Sequence, residues 1–472
     1  MEINDIHILS AANATRSTAL DDDNNEIANV AAHFTRHFDS VLLPALDKTR
    51  TIAVAVSGGI DSMATALAVK IWVAENHKDL HIICLVIDHR LRPESQQEAT
   101  FVMKELAQHD LQSVLLTWQH NNHHTTSSNI QNQAREARYS LLLKYCKNHG
   151  INALCLGHNY DDNAETVLMR IIRGSGIGGI CGMTHTHHID NINILRPILQ
   201  ISRAEIEIFM KYYNDHIQSV QYIDDPSNSS DKYERTKIRH LIQHIENSNL
   251  TCGSQIKARL NLLSSNAKRS EDFINQIVSS TKQKITFWSR FGYYLIDREE
   301  LQTLHMEILL RLLRDNLSKV GNKTKLNLRL RSLIPLATKI HSTNGTFHKQ
   351  TLHGCIIYNK RINNRDYIII ARECVQINTQ TIIIADNKND KDNQIMWDGR
   401  ITINLSSLSQ QYHGYHIGHA SQGQIIHNLY DLYDEEAYIN HNMIYIKSID
   451  HVIKVALPYI IKPHNLSQDP IL

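Results

Sequence analysis

Apolar runs alternate with amphipathic segments over the first half of the chain. Four runs rich in β-branched and aliphatic side chains, each bounded by polar residues, predict short buried strands. They are TIAVAVS (51–57), HIICLVID (81–88), SVLLTW (113–118) and NALCLGH (152–158). Apolar residues at helical spacing follow each run. The helices predicted in this way begin near residue 60 and then cover residues 94–109, 129–149 and 161–173.

Strands that alternate with helices form βαβ units, and these build a parallel sheet with helices packed against it. The sequence therefore predicts an α/β fold with a Rossmann-like parallel sheet. Ligands of such folds bind at the carboxyl ends of the strands. Every motif considered below lies at one of those ends or in the helix that follows.

The alternation stops near residue 205. Residues 236–335 are basic and have a helical pattern, and beyond residue 345 the runs CIIYN, DYIIIARE and TIIIAD indicate strands. A chain of 472 residues also exceeds what one hydrophobic core usually holds. We therefore predict an N-terminal extension (1–45), an α/β ligand-binding domain (46–235), a helical basic domain (236–340) and a small α+β C-terminal domain (341–472).

Composition narrows the classes of protein. Lys and Arg number 49 against 48 Asp and Glu, so a polyanionic partner has to be held by local basic patches. The seven cysteines form no CxxC pair, which disfavours a disulfide framework and a zinc site. The chain has no apolar run of the ~20 residues that a membrane helix needs, and its acidic start differs from a signal peptide. These features predict a cytoplasmic protein.

The segment SGGIDS (57–62) follows the first predicted strand and opens a helix. Its glycines allow a tight turn with several N–H groups close to an anion, and the helix N-terminus favours negative charge there. The mononucleotide P-loop has a lysine that this segment lacks. A carboxylate beside a bound phosphate needs a cation, so Asp61 is a candidate Mg²⁺ ligand. The alternative is a Gly-Gly turn with an Asp helix cap.

Two carboxylates stand at the start of the helix after His158. Asp162 and Glu165 share a face that points away from the apolar stripe of that helix. Such a pair at the mouth of an anion site suits a cationic substrate, Mg²⁺ or both. The alternative is a helix N-terminus whose acids simply favour its dipole.

SGGIDS resembles the phosphate loop of the PP-loop ATP pyrophosphatases, which adenylate a substrate with ATP. Further segments, in the correct order, resemble one family of that group, the tRNA(Ile)-lysidine synthases. The resemblance is strong over residues 50–240 and weaker in TLHGC (351–355) and WDGRI (397–401). The segments that carry it are IDHRLRPES (87–95), NIQNQAREARYSLL (129–142), LGHNYDDNAETVLMRIIRGSGIGGICGM (156–183), RPILQISRAEI (196–206) and DDPSNSSDKYERTKIR (224–239).

The resemblance implies an ATP- and Mg²⁺-dependent ligase that forms a carbon–nitrogen bond. Lysine is joined to the wobble cytidine of tRNA(Ile) with a CAU anticodon, through an adenylated cytidine, and AMP and pyrophosphate are released. It implies ATP-binding roles for Ser57, Gly58, Gly59, Ile60, Asp61, Ser62, Asp88 and His89. Catalytic roles fall to Asp61, His158, Asp162, Glu165 and Arg135, with Arg138 beside it. Asp162 and Glu165 also bind lysine, Asp61 binds the metal, and Arg235, Lys237 and Arg239 contact tRNA phosphates.

Three positions depart from the family pattern: Asn163 where Gln is usual, Thr236 where Asn is usual, and His353 where Gly is usual. They bear on the fit to tRNA more than on the chemistry. Two other functions stay open from the sequence. A PP-loop tRNA thiolase is disfavoured by the lack of CxxC, and a non-catalytic tRNA-binding protein by the intact SGGIDS and DDNAET segments. The basic residues at 235–239 can also be a solvated helix face, and the oligomeric state, a homodimer included, is undetermined.

Overall fold

The computed structural model describes most of the N-terminal half of the chain and separate segments of the C-terminal half. The described residues are 34, 37–46, 50–76, 79–90, 94–118, 130–223, 234–248, 253–289, 291–323, 328–342, 347–373, 382–383, 394–398, 400–404, 416–418, 424–428, 436–439, 442–445 and 459–462.

A six-stranded sheet organises the N-terminal half. Its strand order is β3-β2-β1-β4-β6-β5, and all neighbours are parallel except β5 and β6. Strands β2 and β3 lie on one side of β1, whereas β4 lies on its other side. The strand order therefore reverses between β1 and β4, and the crevice of the fold lies at the carboxyl ends of these two strands. The predicted parallel α/β sheet is confirmed. The strands are β1 (Thr51–Val56), β2 (His81–Asp88), β3 (Gln112–Thr117), β4 (Ala153–Leu156), β5 (Thr186–Ile189) and β6 (Ile192–Leu195).

The helices predicted between these strands form within a few residues of the expected bounds. Apolar residues from β1, α1 and α6 share one core cluster, and α3 packs with the opposite face of the sheet. The helices of this half are α1 (Ile60–Asn76), α2 (Ser95–Gln108), α3 (Ile130–Asn148), α4 (Tyr160–Ile172), α5 (Ile177–Ile180), α6 (Arg203–His216), α7 (Glu234–Glu246) and α8 (Ile256–Ile285).

Two elements differ from the sequence prediction. The β5–β6 hairpin was not predicted, because β5 carries His187 and His188 in place of an apolar run and lies at the sheet edge. The predicted N-terminal extension, in turn, belongs partly to the core. Phe34 and Phe38 are fully buried in the main cluster, and the predicted domain boundaries stay a prediction.

The chain divides by its contacts into an N-terminal unit, Met1–Glu271, and a C-terminal unit, Asp272–Leu472. This division differs from the predicted boundaries at 235 and 340. Strands β7 (Thr286–Trp288) and β8 (Tyr294–Asp297) lie in the stretch predicted to be helical, and they pair in a sheet of order β7-β8-β11-β10-β9. That prediction missed them because two very short strands leave little periodicity to detect.

The remaining described elements belong to the C-terminal unit. Its helices are α9 (Arg298–Thr303), α10 (Met306–Gly321) and α11 (Leu330–His341). Its other strands are β9 (Gln350–Leu352), β10 (Cys355–Ile362), β11 (Arg365–Arg372), β12 (Ile382–Ile383), β13 (Gln394–Trp397), β14 (Ile401–Asn404), β15 (His416–Gly418), β16 (Gln424–Asn428), β17 (Glu436–Ile439), β18 (Asn442–Tyr445) and β19 (Tyr459–Lys462). Within the described residues, no helix combines the length and apolarity needed to span a membrane.

Candidate active site

The phosphate loop between β1 and α1 is closed by its own hydrogen bonds. Ser62 Oγ donates to the carbonyl of Gly59 at 2.8 Å and accepts from the backbone N–H of Ser57 at 3.1 Å. Gly58 has φ of +90°, a conformation that L side chains rarely adopt, and its carbonyl accepts from Ile223 N at 2.8 Å. The loop is therefore shaped before any ligand binds.

Asp61, the first acidic residue of α1, is held on both carboxylate oxygens. Asn159 Nδ2 donates to Oδ1 at 3.1 Å, and Arg203 Nη1 donates to Oδ2 at 3.0 Å. Burial raises the pKa of Asp61, and the positive charge of Arg203 opposes that rise. The positive charge of Arg203 thus partly compensates the carboxylate of Asp61 beside the phosphate loop.

The turn after β4 passes directly against the phosphate loop. A Cβ atom added at Gly157 would lie 2.9 Å from the backbone oxygen of Asp61 and 3.0 Å from Ser62 Cα. Real Cβ contacts are not this short, and backbone atoms have little room to move away. Glycine is therefore required where β4 leads into α4.

The N-terminus of α4 is fixed by a capping box. Asn159 Oδ1 accepts from the backbone N–H of Asp162 at 2.8 Å, and Asp162 Oδ2 accepts from the backbone N–H of Asn159 at 3.1 Å. Since Asn159 also donates to Asp61, one asparagine connects the phosphate loop to the acids of α4.

The acid cluster, Asp162 and Glu165, meets two arginines of α7. Arg235 donates to Asp162 Oδ1 at 2.6 Å and to Glu165 Oε2 at 2.7 Å, and Arg239 donates to Glu165 Oε1 at 2.7 Å. Burial raises the pKa of Asp162 to about 6, although Arg235 acts to lower it. Lys237, on the same helix, is exposed. Arg235 and Arg239, which were predicted to contact tRNA phosphates, therefore bond to the predicted lysine-binding acids. The contact of these arginines and of Lys237 with tRNA stays a prediction.

His158 is a neutral imidazole held by an arginine. Arg196 Nε donates to His158 Nδ1 at 3.1 Å, so the ring proton lies on Nε2. Burial and the charges of Arg196, Arg235 and other nearby arginines lower the pKa of His158 to about 3. This side chain can donate a hydrogen bond from Nε2, but it is a very weak base at neutral pH.

The predicted ATP-binding residues Asp88 and His89 lie at the end of β2. Asp88 is buried, and its Oδ1 accepts from the backbone N–H of Arg90 at 2.9 Å. His89 Nε2 lies 3.3 Å from Arg138 Nη2 of α3. Arg135 lies over the ring of Tyr139, 5.5 Å from its centroid. Because Arg135 and Arg138 both help to lower the pKa of His158, the structure brings this group to the same crevice as the acid cluster.

Mg²⁺ usually takes one or two carboxylates together with phosphate oxygens. Asp61 provides one carboxylate at the phosphate loop, and its charge influences Asp162 through space. No group of three or more metal-ligating side chains occurs among the described residues. Asp61 is the residue that would hold such an ion together with nucleotide phosphates, and its two carboxylate oxygens accept from Asn159 and Arg203 in this structure.

Four residues of this site were not predicted as functional: Gly157, Asn159, Arg196 and Arg203. Two of them, Arg196 and Arg203, lie in the segment RPILQISRAEI that carried the family resemblance. Nothing in its local pattern distinguishes them, since their partners are 38 and 142 residues away in the sequence. The Asn159 cap, followed three residues later by an acid, is a local signal that could have been found.

Known proteins resemble this chain over most of its length. Residues 30–245 match the family model described as a PP-loop domain. Over 371 residues the chain is 33% identical to a tRNA(Ile)-lysidine synthase of Wolbachia pipientis wMel, covering 78% of this chain and 80% of that protein. It is 32% identical over 362 residues to the tRNA(Ile)-lysidine synthase of Orientia tsutsugamushi, covering 76% of each.

One solved structure, a U34-tRNA thiolase from Methanococcus maripaludis, aligns with a TM-score of 0.41 and 16% identity over 50% of this chain and 80% of that one, a likeness too small to bear on function. The two tRNA(Ile)-lysidine synthases have higher sequence identity to this chain, and the alignments cover 80% and 76% of those proteins. The chain belongs to the tRNA(Ile)-lysidine synthase family.

Proposed function

We propose that this protein uses ATP to join the ε-amine of lysine to C2 of the wobble cytidine of tRNA(Ile) with a CAU anticodon. The observation that carries the proposal is the bridge from Asp61 through Asn159 to Asp162, which puts the half-buried Asp162 and the buried Glu165 beside a preformed phosphate loop. Such an arrangement suits a reaction between a triphosphate and an amine. An anticodon loop presents unstacked bases, so the target base is accessible.

The first half-reaction needs ATP because the C2 oxygen of cytosine is a poor leaving group. Attack of this oxygen on the α-phosphate forms an adenylated cytidine and releases pyrophosphate. The N–H groups of the phosphate loop and the N-terminus of α1 are placed to stabilise the leaving pyrophosphate. Mg²⁺ at Asp61 would supply additional charge neutralisation.

The second half-reaction requires an unprotonated amine, whereas the amine of free lysine has a pKa of about 10.4. Its attack on C2 then displaces AMP. With its pKa lowered to about 3, His158 is a poor candidate for this base. Asp162, with a pKa of about 6, is the better candidate, and His158 can donate from Nε2 to the nucleobase.

The alternative of a tRNA thiolase is disfavoured by the described cysteines. Cys84, Cys146, Cys155, Cys181 and Cys355 are all buried. Burial raises the pKa of Cys84 and Cys146 to about 12 and raises that of Cys155 further, so these thiols are far from the reactive thiolate form. Cys252 and Cys374 lie outside the described residues.

The decisive experiment is incubation of the protein with bulk tRNA, ATP and isotopically labelled lysine, followed by nucleoside mass spectrometry. We expect labelled lysidine in the digest and tRNA-dependent release of pyrophosphate. Unmodified cytidine after full turnover conditions would reject the proposal. Absence of tRNA-dependent pyrophosphate release would favour the non-catalytic tRNA-binding alternative.

The Glu165→Ala variant tests the assignment of lysine to the acid cluster. We expect lysine incorporation to be lost while ATP binding, measured by calorimetry, survives, because Glu165 contacts α7 and not the phosphate loop. The control is Glu234→Ala, which removes an exposed acid of α7 that pairs with Arg173. Loss of ATP binding in Glu165→Ala would refute this division of labour.

A further inference from the structure

A cavity lined by both polar and apolar side chains lies across α4 from the acid cluster. Its volume is about 720 Å³, within the range of about 300–1,000 Å³ that is typical of ligand sites. Tyr160 and Asn163 line it, whereas Asp162 and Glu165 contact α7. Residues offset by two positions lie on nearly opposite faces of a helix. One helix width, about 10 Å, therefore separates the cavity from the carboxylates.

The wall of the cavity is tied together before any ligand binds. Asn163 Nδ2 donates to Asn261 Oδ1 of α8 at 2.7 Å, and Asn163 Oδ1 accepts from Met183 N at 2.6 Å. Ser264 Oγ, also on α8, donates to the carbonyl of Cys181 at 2.8 Å. These bonds join α4, α8 and the loop before β5, so ligand binding does not have to order the site.

The charges of the cavity favour an anion. Lys268 and Arg269 of α8 contribute to its lining, and none of the described lining residues is Asp or Glu. A free lysine would find no carboxylate here for its ammonium groups, whereas a phosphate would meet two cations. The rest of the lining offers an aromatic ring at Tyr160 and polar side chains such as Gln200 and Ser265.

The cavity is also connected to the candidate active site. Arg196 Nη1 donates to the carbonyl of Thr184 in the cavity wall at 2.9 Å, and the Nε of the same side chain donates to His158. One side chain, Arg196, therefore contacts both the wall of the cavity and His158.

We propose that this cavity binds a nucleotide of the tRNA adjacent to the target cytidine, with its phosphate at Lys268 and Arg269 and its base against Tyr160. This inference rests on the proposed function and adds a second subsite to it. The nucleotides next to the target cytidine carry phosphates and are covalently linked to it. In an unstacked loop they lie within about one helix width of the reacting base.

Two serines of α8 provide a matched test. Ser265 and Ser270 are both exposed, and each hydroxyl donates to the carbonyl four residues earlier, but Ser265 lines the cavity and Ser270 does not. We expect Ser265→Trp to fill the cavity and raise KM for tRNA about tenfold, the loss of roughly one stacked base. KM for ATP and for lysine should stay unchanged, and Ser270→Trp should behave like the wild type.

The charge contribution is tested on the same helix. Arg269→Ala should reduce the slope of log Kd for tRNA against log salt concentration by about one, as expected for one lost phosphate contact. Arg259→Ala removes an exposed arginine of α8 outside the cavity and should leave that slope unchanged.

RNA lacking the base on the 5′ or the 3′ side of the target cytidine identifies the bound nucleotide. One of these substrates should raise KM in the wild type and add nothing in Ser265→Trp. Full additivity for both substrates, or a rise in KM for ATP or lysine in place of tRNA, would overturn the inference. Lysidine formation by the wild type separates these outcomes from failure of the proposed function itself.

Discussion

Each acid at the centre of the candidate active site is held by a guanidinium from a distant part of the chain. Arg203 donates to Asp61, and Arg235 donates to both Asp162 and Glu165. Arg239 donates to the other carboxylate oxygen of Glu165. Glu165 is only 3% exposed, and a buried carboxylate without such a partner would be strongly destabilising. The arginines therefore offset part of the cost of burying these carboxylates.

Titration of Asp162 gives a prediction at the residue scale. If ionised Asp162 receives the lysine proton, kcat/KM for lysine should fall about tenfold per pH unit below pH 6, because burial raises its pKa to about 6. Removing the lowering influence of Arg235 in Arg235→Ala should move this acidic limb to higher pH. Pre-steady-state rates across pH 5–8 measure the effect.

The control for this variant is Arg173→Ala, which removes an exposed arginine paired with Glu234. Its pH profile should match that of the wild type. An acidic limb that stays in place in Arg235→Ala would show that Asp162 is not the group that titrates.

At the scale of elements, the site depends on how closely β4 and α4 approach α1. Gly157 allows the turn between β4 and α4 to pass against the backbone of Asp61, and Asn159 then bonds across to its carboxylate. The phosphate loop follows β1, and the acid cluster lies on α4, which follows the neighbouring strand β4. The turn between β4 and α4 brings the two groups together.

The Gly157→Ala variant tests this approach. The added Cβ would lie 2.9 Å from the backbone oxygen of Asp61, so the turn must move away, at a cost of about 1–3 kcal/mol in the free energy of unfolding. We expect weaker ATP binding by calorimetry and a lower Tm. Gly176→Ala is the control, because no atom lies within 4 Å of a Cβ at that position. Equal ATP affinity and Tm in the two variants would contradict the prediction.

At the scale of the whole molecule, four buried apolar clusters of the described residues each draw on a single unit. The clusters around the six-stranded sheet and α4 involve residues of the N-terminal unit, and that around α10 and α11 involves residues of the C-terminal unit. A substitution that destabilises the apolar core of the C-terminal unit should therefore leave ATP binding by the N-terminal unit unchanged.

The Leu313→Ala variant tests this independence. Leu313 is fully buried in the cluster of the C-terminal unit, so truncation should cost about 2–5 kcal/mol in its free energy of unfolding. ATP affinity, measured below the lowered Tm, should not change. The control is Leu330→Ala, since Leu330 is 48% exposed. Loss of ATP binding in parallel with stability would show that the two units do not act separately.

The sequence by itself determined the local features of this protein. The apolar runs at 51–57 and 81–88 became β1 and β2, and SGGIDS became the turn that opens α1, because strand burial and glycine conformation depend on neighbouring residues. The shared face of Asp162 and Glu165 followed from helical spacing alone. The motifs also indicated the family that the sequence comparisons then showed.

Only the tertiary structure decided which charges meet. The bond from Arg203 to Asp61 spans 142 residues, and the β5–β6 hairpin and the strands β7 and β8 join sheets because β4 and β11 complete their hydrogen bonds. Spacing along a sequence carries no information about such contacts, since their energy depends on distances that exist only after folding. For that reason α7, which has the sequence of a basic surface helix, turned out to neutralise the acid cluster.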